Sequence, residues 1–364
     1  MGSGASISKN DSLPSDVPGK SPSCICCEDY ILSRGSEVVV PRQDVLEALT
    51  VAVESSKVDG PILLVAKSGA GKSTALAQFV SKICSPDDTQ LHVLSVYVGS
   101  VDRSTIPVFF LRDVVDRLNN IVKSVCGLES FLMDNIESID DVLVLSNLMY
   151  QCADAIQSSG KNRLILIFDA LNELDASGLS LTWLPMRLPK GCQYIFSTID
   201  PDSVEPGSPS FAPTRDVFKV LEQRWKFGTE NIIHLNPMTR IARETLLQKL
   251  ATPLIISSET CDLILKKADQ SPLFLKLVAH GLKRLPQNAD IIDAVKTFPG
   301  SVAGFFDFIV LSLEEKIGRK SAEILLGTVW SVAGDILLSQ LKKMVSIELT
   351  PEAESLLKNL LQKR

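Results

Sequence analysis

The sequence contains no run of eighteen apolar residues, so it offers no helix of the length and composition that cross a bilayer. Its first thirty residues also lack the apolar core of a signal peptide. Histidine is scarce: His92, His234 and His280 are the only three, far apart, which excludes a histidine-rich metal site and leaves each reading as structural. Positive charge is not in excess. The 37 Lys and Arg against 43 Asp and Glu give a formal charge of −6, which argues against a broad nucleic-acid-binding face and leaves only a local basic groove open. Internal repeats at a solenoid or propeller period are absent. The eight cysteines are scattered except for Cys24, Cys26 and Cys27, and read as reduced cytosolic thiols, not a disulfide frame. What is present, 364 residues at 45% hydrophobic and 22% charged, suits a globular chain of two or three domains with a sizeable core.

Residues 1–36 are dense in Ser, Gly, Pro and Asp and are expected to be disordered. The first six residues fit M-G-x-x-x-[ST], so Gly2, exposed after removal of Met1, is a candidate for N-myristoylation; the alternative is a plain flexible Gly/Ser-rich terminus. One myristoyl chain holds a membrane only marginally, so a second signal is needed. Lys9 and Lys20 are too few for a polybasic patch, whereas Cys24, Cys26 and Cys27 are candidates for palmitoylation or else unmodified thiols.

From about residue 37 to 237 the pattern alternates. "EVVVPRQDVLEALTVAVESS" reads as a short apolar segment and a helix, and "GPILLVA", "LHVLSVYVG", "RLILIFDALNELD", "CQYIFSTIDP" and "NIIHL" read as five strands. Helices are expected from Lys72 to about Cys84, within 104–126, and from about Asp140 to Ser158. Such alternation implies a parallel sheet covered on both faces. Beyond Pro237 strand signals nearly vanish. Helices are expected near 239–251, 258–269, 272–285, 289–297, 302–317, 320–333, 337–344 and 351–363, with Ser271 capping the one that opens at Pro272.

"VAKSGAGKST", residues 65–74, carries the chemistry. It has the spacing of G-x-x-x-x-G-K-[ST] with Ala66 in place of the first glycine. A strand precedes it and a helix follows, so the backbone N–H groups of Ala66, Lys67, Ser68, Gly69, Ala70 and Gly71 and the helix start through Thr74 form a candidate cradle for phosphates. Gly69 and Gly71 admit close backbone approach, Lys72 would reach the β- and γ-phosphates of ATP or ADP, and Ser73 would ligate Mg²⁺. Alanine at 66 adds one methyl group and is expected to be tolerated at negative φ. The apolar run ending in Asp169 reads as a buried strand that delivers a carboxylate to the sheet's C-terminal edge, where it would hold Mg²⁺. Glu173 is placed to orient or deprotonate an attacking water, or else is one of the acids common at a helix start.

With these motifs the chain resembles the NACHT group of STAND-class P-loop NTPases, nearest its nephrocystin and telomerase-associated-protein branch. "IFDALNELD" is similar to the family's second acidic motif, with Asn172 replacing the first acid of the pair. "VPRQDVLEAL", "YVGS", "LNPMTRIARETLLQKL", "QSPLFLKLVAHGL" and "FPGSVAGFFDFIVLSLEEKIG" also resemble family segments. The resemblance implies a P-loop NTPase core over 37–237, a helical domain over 238–300 and a partial winged-helix domain over 301–364. It places Arg42 near the adenine and Pro272 against the nucleotide. Where the family often ends its fourth strand in Thr-Ser-Arg-Pro, this chain has "STIDP", so Asp200 stands in place of the arginine.

The resemblance implies an ATP-binding switch with protein partners, slow Mg²⁺-dependent hydrolysis and room for a nucleotide-dependent oligomer. It is expected in the cytoplasm, with peripheral membrane attachment through acyl chains and no nucleic-acid partner. The alternatives are a nucleotide-binding scaffold that does not hydrolyse, favoured by Asn172 and Asp200, and a small-molecule kinase, which the long helical tail opposes. The chain stops at Arg364 before any wing or repeat array, so it is expected either to be a fragment or short isoform or to bind partners through its helical region.

Overall fold

The computed structural model describes residues 40–54, 60–84, 88–99, 104–127, 136–160, 162–187, 189–208, 210–267, 271–285 and 290–331. Gly2, Cys24, Cys26, Cys27 and the helices expected after 336 lie outside them. In chain order the elements are α1 (Gln43–Glu54), β1 (Ile62–Ala66), α2 (Lys72–Ile83), β2 (Leu91–Tyr97), α3 (Pro107–Cys126), α4 (Val142–Ser158), β3 (Arg163–Asp169), β4 (Cys192–Ile199), α5 (Phe211–Trp225) and β5 (Ile232–His234). Then come α6 (Arg240–Ala251), α7 (Ser258–Lys267), α8 (Pro272–Leu282), α9 (Ile291–Thr297), α10 (Val302–Ile317) and α11 (Arg319–Ser331).

The five strands form one sheet in the order β2-β3-β4-β1-β5, and every pairing is parallel. The central strands are apolar on both sides because both sides are covered, and successive residues alternate between two cores. Leu63, Val65, Leu164, Leu166 and Phe168 point toward α3, α4 and α5, while Ile62, Leu64, Ala66, Ile165 and Ile167 point toward α1 and α2. On the first side Phe168 meets Trp183 at 5.3 Å and Tyr194 at 6.0 Å between ring centroids, both edge-on. Burying such rings makes a rigid footing for the carboxylate that follows Phe168; truncating an aromatic of this kind costs about 3–5 kcal/mol. The fold is α/β, a P-loop NTPase-like core followed by an all-helical region with its own apolar core around Phe274, Leu275, Phe298 and Phe305.

Among the described residues, the expected strands and helices sit within a few residues of the observed ones. Helix α5 is the exception, since the sequence pattern predicts no element between β4 and β5. Pro213 lies in its first turn and Thr214, Val217 and Leu221 are its only buried residues, so its apolar stripe is narrow.

Candidate functional site

β1 is buried along its whole length and ends at Ala66, 5% exposed and packed in the core beneath α1 and α2. The methyl group at the first position of the loop is therefore accommodated in strand conformation. The Ala66 carbonyl accepts two donors, the N–H of Asp200 at 3.0 Å and the Lys72 ammonium at 3.0 Å. Lys72 Nζ also donates to the Lys67 carbonyl at 3.2 Å. Gly69 and Gly71 hold φ values of +72° and +97°, a region where a side chain is strained. Gly71 caps the twelve-residue α2 without a side-chain bond, so the N–H groups of the first turn, from Lys72, Ser73 and Thr74, have no intrahelical acceptor. Ser68 and Lys67 are exposed on the loop's outer flank, and Ala70 is partly buried, its N–H closing a turn on the Lys67 carbonyl at 3.3 Å.

Asp169 ends β3 and is 2% exposed. Its Oδ1 accepts a short hydrogen bond from Ser197 Oγ, and the same Oγ accepts the Ala170 N–H at 2.9 Å. Those bonds help hold Ala170 at φ +57°, a left-handed conformation that costs a non-glycine residue roughly 1–2 kcal/mol. The strained turn swings the chain into the short helix Leu171–Glu173. Asn172 is buried there, its Oδ1 accepting the Ile199 N–H at 3.2 Å. It clips the turn to the end of β4, a positioning role that does not require an acid. Glu173 then lies against Gly99, whose φ of +76° and missing Cβ leave room for the Glu173 Oε2 atom.

Lys72, Asp169, Glu173 and Asp200 share one electrostatic environment. Burial pulls the Lys72 ammonium down to about 8, against the opposing pull of Asp169, Glu173 and Asp200. The mass of protein around the Glu173 carboxyl, and then the Asp169 charge, raise it to about 6, with Lys72 opposing, although the residue itself is open to solvent at the rim. Three carboxylates thus act on one partly buried ammonium.

The arrangement fits a polyphosphate: a glycine-shaped loop, an open helix N-terminus and a lysine reach the same place. It also fits a divalent cation held largely by phosphate oxygens, with Ser73 and Asp169 as protein ligands. Among the described residues, no group of three or more His, Cys, Asp or Glu is placed to hold a metal by itself.

The helical region touches the loop directly. The Gly69 carbonyl accepts Ser271 Oγ at 3.2 Å and the Leu273 N–H at 3.4 Å, which seats Pro272, the first residue of α8, over the loop. Arg42 lies on the other flank. Its carbonyl caps α1, and its guanidinium donates to Asp44 Oδ2 at 3.0 Å and to the Asn236 carbonyl at 2.6 Å, tying α1 to the chain leaving β5. The bond to Arg42 holds the Asp44 carboxyl below the ordinary range. Beside it a groove of about 340 Å³ is lined by Asp44, Val45, Ala48, Ile232, Ile233, His234 and Asn236. The sequence does not single out Ser197, Gly99 or Ser271 for the site. Ser197, fully buried inside "YIFSTI", carries the one usable signal, because a polar side chain in a buried strand needs a partner.

No family model matches the chain. Among solved structures it is similar to a mutant RuvB of Thermotoga maritima, at 15% identity over 88% of each chain with a TM-score of 0.35. It is also similar to Cdc6p of Pyrobaculum aerophilum, at 12% identity over 92% of this chain and 89% of that one, TM-score 0.37. For the Drosophila ORC bound to DNA the values are 13%, 99% and 89%, with a TM-score of 0.45.

Proposed function

We propose that this chain is a nucleotide-binding switch of the NACHT type, in which Mg²⁺ with ATP or ADP bridges the α/β core and the helical region. The observation that carries the reading is the convergence of Lys72, Asp169 and Glu173 beside a loop that α8 also contacts through Gly69. The loop N–H groups and Lys72 bind the phosphates, Asp169 and Ser73 orient the cation, and Glu173 receives the proton of an attacking water. The cation, when bound, screens the phosphate charge. A ligand that contacts loop and α8 together favours the closed arrangement by its differential affinity for it, which is all a switch requires. A scaffold without turnover is the second reading, favoured by the carboxylate of Asp200 beside Lys72. Titration calorimetry of the purified chain with ATP and ADP in Mg²⁺ tests the first: one site per chain is expected, and no heat at millimolar nucleotide would sink it.

The same reading attaches the switch to membranes through acyl chains on Gly2 and on Cys24, Cys26 or Cys27, at the periphery of the cytoplasm. Gly2→Ala is expected to move the protein from the membrane pellet to the supernatant in cell fractionation. An unchanged distribution would remove the lipid tether from the account.

A further inference from the structure

The geometry points to Asp200 as a specificity-determining residue that makes this site favour a nucleoside diphosphate over the corresponding triphosphate. The inference rests on the nucleotide reading above and adds a preference within it.

Asp200 follows β4, the strand that lies between β1 and β3, so it leaves the sheet between the phosphate loop and Asp169. Its N–H and the Lys72 ammonium bind the same carbonyl oxygen, that of Ala66, each at 3.0 Å. The backbone of Asp200 is thus no farther from the ammonium than those two bonds laid end to end. The carboxylate is not free to swing away, because its Oδ1 caps the turn Pro201–Ser203 by accepting the Asp202 N–H at 3.1 Å. Asp169 accepts the Ser197 hydroxyl and would serve the cation; Glu173 lies at the opposite rim against Gly99. Asp200 caps its own turn and has no assigned part in holding the cation, and its charge acts on Lys72.

A phosphate chain lying along the loop meets Lys72 with its β-group, and a third phosphoryl group extends its charge toward the ends of β3 and β4. There it meets Asp200. One like-charge pair several ångströms apart in a cleft changes affinity by roughly threefold to a hundredfold, depending on screening. The charge of a diphosphate stops short of that position.

Calorimetry on the full chain with ADP and with a non-hydrolysable ATP analogue, each in Mg²⁺ and in EDTA, reads the preference as a ratio of affinities. The wild type is expected to bind ADP about tenfold more tightly than the analogue. Asp200→Asn keeps the capping oxygen and removes the charge; it should raise analogue affinity about tenfold and leave ADP within about twofold. Asp200→Ser, which also caps, should behave the same way, and Asp202→Asn, an equal charge change on the same turn, should keep the wild-type ratio. An unchanged ratio in both Asp200 variants, with both ligands still binding, overturns this proposal alone. Weaker analogue binding in Asp200→Asn overturns it too, by making Asp200 a cation ligand. Failure of both ligands to bind the wild type removes the nucleotide site itself.

Discussion

Lys72→Ala is expected to weaken ATP and ADP binding by about a hundredfold or more, without destabilising the protein. The ammonium donates to the carbonyls of Ala66 and Lys67, in the position from which it would turn to phosphate oxygens. Charge-assisted hydrogen bonds of that kind contribute roughly 1.5–3 kcal/mol each, and about 1.4 kcal/mol is a factor of ten. Stability should move the other way. Burial lowers the Lys72 pKa to about 8, so the folded state releases a proton that the unfolded chain still holds between about 8 and the ordinary 10.5. Wild-type stability therefore rises with pH across that window, and the charged lysine is a cost below it. At neutral pH the alanine variant should melt at the same temperature as the wild type or higher. Paired calorimetric titrations and melts check this; undiminished affinity would show that the loop is not the phosphate site.

The site was partly legible in the sequence. The loop could be read because it depends on local chemistry: glycines at fixed positions, a lysine, and a strand and helix on either side. The strand ending in Asp169 could be read because a strand buried on both faces leaves an apolar signature. Long-range polar pairing leaves at most the sign that a buried polar side chain needs a partner, not which partner it finds. Nothing local says that Ser197 holds Asp169 across two strands, or that Ser271 reaches Gly69 from far along the chain. Asn172 is instructive, since against an acidic pattern it looks like a loss of chemistry. In the fold its amide oxygen meets the Ile199 N–H, so the residue positions Glu173 whether or not it carries charge. Arg42 is drawn into protein contacts with Asp44 and Asn236, which makes it a strut beside the loop.

Glu173→Gln is expected to leave nucleotide affinity within about threefold and to lower the rate of phosphate release by about 10²–10⁴ if the switch hydrolyses ATP. A carboxyl at its ordinary value is a poor base; raised to about 6 by its surroundings, Glu173 holds a proton more strongly while remaining ionised at neutral pH. The profile of kcat/KM against pH should then rise through about 6 as Glu173 loses its proton and fall beyond about 8 as Lys72 loses its own. In the glutamine variant the acid limb should vanish while the alkaline limb stays. Gly99→Ala supplies an independent lever, because a methyl group there collides with the Glu173 carboxylate and must displace it. It should reduce phosphate release and spare binding, as the glutamine variant does. If all three proteins release phosphate at one rate, Glu173 is not the base. If none releases any while each binds nucleotide, the core is a scaffold, and the carboxylates around Lys72 serve to set which nucleotide it holds.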